Sequence, residues 1–176
     1  MRHLTLALTL SLSLPLATTA WAAGGGDETA PSKPKCKNGQ VYDKKTKTCV
    51  DAQDSRLDTE DRYETVRRLA HAGRYAEAQQ VLAQMPPRDD RTLTYLGFTA
   101  RKMGERAAAF DHYAQALAVN PGNVLARSYL GQGLVEEGRI AEALDQLRLI
   151  RQHGGSGSWA ETALQRAIAT GRTYSY

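Results

Sequence analysis

Past its first 22 residues the chain has no apolar run approaching the ~20 residues that a bilayer-spanning helix needs, which excludes an embedded core. Cysteine is nearly missing, with only Cys36 and Cys49. The histidines beyond the N-terminus, His71, His112 and His153, each stand alone, with no Cys or second His at metal-ligand spacing, so no metal is expected. No phosphate-cradling loop occurs. Gly131-Gln132-Gly133 opens like a dinucleotide fingerprint, but Glu136 stands where its third glycine belongs and no strand precedes it. Gly155-Ser156-Gly157 lacks the spacing of a nucleophile elbow. Glu136 and Glu137 are adjacent on a helical pattern and point apart, so they cannot work as a carboxylate pair. Neither an enzyme nor a cofactor is expected. The formal charge of +4 is mild and does not call for nucleic acid.

What the chain does have begins at its N-terminus. Arg2 and His3 precede an apolar run from Leu4 to Ala17, and Ala20-Trp21-Ala22 offers small residues around a bulky one. That is the layout of a secretory signal peptide over residues 1–22, cleaved after Ala22. The mature protein is then expected outside the cytoplasm, in the periplasm or the extracellular space, with no membrane insertion. There Cys36 and Cys49 would pair. The segment 23–57 reads as flexible around this cysteine loop, with Asn38-Gly39 as a hairpin-type turn and Val41 and Tyr42 favouring a strand.

From residue 58 onward strong helix formers dominate, and apolar residues recur at helical spacing: Leu93, Leu96, Ala100, Met103, then Ile140, Ala143, Leu144, Leu147. Two kinds of break alternate. Gly73, Gly104 and Gly138 mark tight turns; Pro86-Pro87, Asn120-Pro121-Gly122 and Gly154-Gly155 mark looser ones. Gly138 follows Gly104 by 34 positions, and the same offset lays Thr94-Tyr95-Leu96-Gly97 on Ser128-Tyr129-Leu130-Gly131 and Ala109 on Ala143. Gly73 precedes Gly104 by 31, so the first unit is a shorter copy, with the shortfall expected in the turn from Met85 to Arg91. Gly97, Gly131, Ala109 and Ala143 are expected where helices approach closely, with Leu82, Tyr113 and Leu147 filling the space between.

This pattern resembles the tetratricopeptide repeat. The unit 90–123 carries Leu96, Gly97, Ala100, Gly104, Ala109, Tyr113, Ala116 and Pro121 at that family's spacing. The unit 124–155 keeps Leu130, Gly131, Gly138 and Ala143, with Gly155 in place of proline; the unit 58–88 has Thr65-Val66 in place of Leu-Gly. The resemblance implies an all-α fold, a short right-handed α-solenoid of about three helix pairs. A capping helix over 156–171, begun by a Ser158/Glu161 capping box, would close it before a frayed tail, 172–176.

It also implies a concave groove lined by the first helix of each pair, binding a protein or peptide. By position, the groove would present Tyr63, Arg67 and His71 from the first unit, then Thr94, Phe98, Arg101 and Lys102 from the second. The third would add Ser128, Gln132, Val135 and Glu136. Phe98 is either an exposed apolar anchor beside Arg101 and Lys102 or a packed core residue. A rival reading places the activity in the cysteine loop, where Cys36, Gly39, Tyr42, Lys45 and Cys49 faintly resemble half of a chitin-binding module. Cell-wall glycan would then be the target and the repeats a scaffold.

Overall fold

The computed structural model describes residues 36, 37 and 39–174; the expected signal peptide and most of the lead-in lie outside the described residues. A two-stranded hairpin, β1 (Val41–Asp43) and β2 (Thr48–Val50), precedes seven helices. These are α1 (Thr59–His71), α2 (Tyr75–Leu82), α3 (Asp90–Lys102), α4 (Arg106–Val119), α5 (Val124–Glu136), α6 (Ile140–Gln152) and α7 (Trp159–Thr170). The described chain is therefore mostly helical.

The helix ends follow a local code that repeats. Asp58, Asp89, Asn123 and Ser158 each stand before an odd-numbered helix and accept a backbone N–H three residues on. The far ends of α1, α3 and α5 close on Gly73, Gly104 and Gly138, all with φ between +70° and +86°. At each, the glycine N–H and the next N–H turn back onto the helix: Arg74 N to Leu69 O, Glu105 N to Ala100 O and Arg139 N to Leu134 O, all 2.9 Å. The following helix starts at once, on Arg74, Glu105 or Arg139, without a side-chain cap. In α7 only half of the expected capping box forms. Ser158 Oγ accepts from Glu161 N, but the Glu161 carboxylate takes Gly157 N and Arg151 instead.

Helices pack in sequence as α1 on α2, α3 on α4 and α5 on α6, while α1, α3, α5 and α7 also touch in succession. Gly97 and Gly131 explain two close approaches. A Cβ on Gly97 would lie 2.5 Å from the Tyr113 ring, and one on Gly131 would lie 2.6 Å from Leu164. Ala109, Ala143, Tyr113 and Leu147 are buried, in the places expected of spacers and fillers.

Two sequence expectations are corrected. The first unit is short because α2 is short: it ends at Leu82, at the position equivalent to mid-α4, while the connection to α3 is longer than the one between α4 and α5. Pro86 and Pro87 supply no N–H and disfavour helix in the residue before them, so α2 cannot run on. The hairpin reverses at 44–47; the turn expected around Gly39 does form, with φ +70° and Gln40 N donating to Lys37 O at 2.9 Å, but it stands ahead of β1. Asp43 accepts from Lys45 N and Thr46 Oγ1, and Lys47 takes φ +56°.

The strand register pairs Tyr42 with Cys49, and Cys49 is bridged to Cys36 with Cα atoms 5.6 Å apart. The segment from Cys36 to Leu57 is not a loose appendage: Val41, Ala52 and Leu57 are buried in one cluster with Val66 and Leu69 of α1. Gly39 N donates to Glu77, and Lys44 pairs with Asp61 and Glu64.

Candidate functional site

Tyr63 of α1, Tyr95 of α3, Tyr129 of α5 and Trp159 of α7 form a ladder of edge-to-face rings. The successive centroid distances are 5.6, 6.3 and 6.0 Å. Edge-to-face pairs contribute about 0.5–1.5 kcal/mol each beyond their buried area. Tyr95 and Tyr129 lie 34 positions apart, at equivalent places in their units, so that step follows from the repeat, whereas Tyr63 and Trp159 stand off its offset. Its first rung, Tyr63, is half-buried, with the Arg91 guanidinium 4.5 Å above its ring.

Phe98 is the residue whose two readings diverged, and it is buried, with no exposed surface. Tyr129 lies 4.7 Å from it, Tyr75 of α2 6.0 Å and Tyr95 6.1 Å, centroid to centroid. It is a core residue and not an exposed anchor. Thr94, Ser128 and Gln132 are buried as well. Thr94 Oγ1 donates to Asp90 O and accepts from Asn123 Nδ2, so it ties α3 to the start of α5. Arg67 and His71 are half-buried on α1, at the opposite end of the helix series from α7.

Arg101, Lys102, Ser128, Gln132 and Glu136 do come together. Arg101 and Lys102 both approach the Phe98 ring, each 5.8 Å from its centroid. Arg101 has a buried side chain whose Nη1 pairs with Glu136 Oε1. Burial, with Arg101 beside it, brings the Lys102 ammonium down to about 8. Burial pushes the Tyr113 hydroxyl up to about 12, opposed by Arg101. Gln132 is oriented by its own helix, its Nε2 donating to Ser128 Oγ.

Periodicity carries no sign of what crosses this cluster. Of the tail expected to fray, Thr173 and Tyr174 are held, and residues 175 and 176 lie outside the described residues. Tyr174 N donates to Gln132 Oε1 at 2.9 Å, and Lys102 Nζ donates to Tyr174 O at 2.6 Å. Thr173 Oγ1 donates to Glu136 Oε1, and the Tyr174 ring stands edge-on to Trp159 at 4.8 Å. Beside it, Trp159, Ala163, Arg166, Arg172 and Tyr174 line a recess of about 420 Å³. The one available hint was composition: two tyrosines follow closely on the glycine that stops α7.

In the cysteine hairpin, Tyr42 is half-buried opposite Cys49. No helix among the described residues is long and apolar enough to cross a membrane. No family model, curated protein or solved structure matches the chain.

Proposed function

We propose that the protein is a non-catalytic, peptide-binding adaptor of the cell envelope, built as a tetratricopeptide-like right-handed solenoid. The observation that carries this reading is the double capture of one residue's backbone. Gln132 accepts the N–H of Tyr174 while Lys102 donates to its carbonyl. Side chains arranged to bond both polar groups of one extended residue are the elements of a peptide-binding face, because they read main chain that every peptide carries. The glycine-closed turns at Gly73, Gly104 and Gly138 support the repeat assignment, and the ring ladder, buried at Tyr95 and Tyr129, supports a continuous core beneath the odd-numbered helices. The Cys36–Cys49 bridge supports an oxidising compartment, in keeping with a leader over residues 1–22.

A peptide array probed with the chain tests the binding. Lys102→Met with Gln132→Ala is expected to weaken capture at least tenfold while circular dichroism stays unchanged. Undiminished capture by a folded double variant would overturn the reading. Export is tested separately by the mass of the chain recovered from the envelope, which should begin at Ala23.

A further inference from the structure

The segment that lies on this face belongs to the chain itself, and each of its contacts reads a different chemical feature. Gln132 and Lys102 take the main chain of Tyr174. Glu136, already charged against Arg101, accepts the hydroxyl of Thr173. Trp159 takes the Tyr174 ring at an interplanar angle of 87°, so the ring becomes a further rung beyond Tyr129 and Trp159. Neither Thr173 nor Tyr174 is fully buried, and Arg172 is exposed. The segment is therefore placed by polar bonds to side chains and one ring edge, not by enclosure in a core. Gly171, at φ +69°, ends α7 and turns the chain so that Tyr174 returns to α3 and α5.

We propose that Arg172–Tyr174 is a resident ligand of the peptide-binding face. The external partner is then an extended protein segment with a hydroxylated residue followed by an aromatic one, which binds by displacing it. This rests on the peptide-binding reading above. A ligand tethered through so short a connection acts at an effective concentration of about millimolar. An untethered segment of the same chemistry competes poorly until the resident one leaves, and its apparent affinity falls with the fraction of time the face is open.

The test compares the full chain with one lacking residues 172–176. The probe is a fluorescein-labelled peptide with the sequence of residues 170–176, followed by anisotropy. The truncated chain is expected to bind it at least tenfold more tightly than the full chain. Thr173→Ala with Tyr174→Ala in the peptide, or Gln132→Ala in the truncated chain, is expected to reverse that gain. Truncation should also shift the emission of Trp159, and added peptide should restore it.

Equal binding by the two chains, or indifference to the peptide substitutions, would overturn the proposal. Should truncation prevent folding, Tyr174→Ala in the full chain takes its place, and failure to gain binding then counts against it. A truncated chain that captures unrelated extended peptides but not this one overturns self-recognition and leaves the peptide-binding reading intact. One that captures no peptide overturns both.

Discussion

The guanidinium of Arg101, on α3, is paired across the helix boundary with the carboxylate of Glu136, the last residue of α5, Nη1 to Oε1 at 2.5 Å. The two partners are not equivalent. The Arg101 side chain is 2% exposed and that of Glu136 27%. Arg101 Nε and Nη2 are buried without a hydrogen-bond partner among the described residues. Removing the carboxylate strands a buried cation, whereas removing the cation frees a carboxylate that water can reach. Glu136→Ala is expected to cost about 1–3 kcal/mol, and Arg101→Met to stay within about 1 kcal/mol of the parent. Urea unfolding of both variants checks this, and equal losses would contradict the asymmetry.

Two glycines serve for different reasons, which a rescue experiment separates. Gly97→Ala drives a methyl into the Tyr113 ring and should cost about 1–3 kcal/mol. Gly104→Ala meets nothing within 4 Å and suffers only from its φ of +86°, a cost of about 1–2 kcal/mol. Tyr113→Leu should recover much of the first loss and none of the second in a double-mutant cycle.

Reducing the Cys36–Cys49 bridge should destabilise the chain by about 3 kcal/mol, the entropy-model value for a loop of this length. The effect is local, because Val41 packs on α1 and Gly39 bonds to Glu77 of α2. Hydrogen exchange after reduction should quicken in α1 and α2 and leave α7 little changed.

Acid should weaken the fold through His71. Burial, with Arg67 repelling, pulls its imidazole from 6.5 down to about 4. Between those values the unfolded chain binds a proton that the folded chain does not. This contribution is complete above about 6.5, is lost as pH falls toward about 4, and changes no further below. The melting temperature of His71→Gln should therefore depend less on pH across that window than that of the parent. Identical slopes would refute the assignment.

The turns at Gly73, Gly104 and Gly138 were legible in the sequence because a left-handed backbone position favours one residue type, and it recurred at offsets of 31 and 34. The burial of Phe98 was not. Its exposure depends on Tyr75 and Tyr129, which belong to other helices and reach it only through packing. Position within the repeat put Arg101, Lys102, Ser128 and Gln132 on neighbouring helices, but it could not say that Arg101, Ser128 and Gln132 are buried. It could not say that Thr94 is engaged by Asn123, because that bond joins one unit to the cap of the next. The return of Tyr174 was the least legible, since it rests on three polar bonds and one ring contact that no periodicity encodes. The short α2, by contrast, is legible in Pro86 and Pro87, which limit the helix as well as mark a turn.

The hairpin on α1 and the segment that returns from α7 to α3 and α5 are closed by unlike means. One closure is a covalent bridge and persists for as long as the surroundings stay oxidising. The other consists of bonds that water can replace. The first therefore answers to a reductant, and the second to competing hydrogen-bond donors and acceptors.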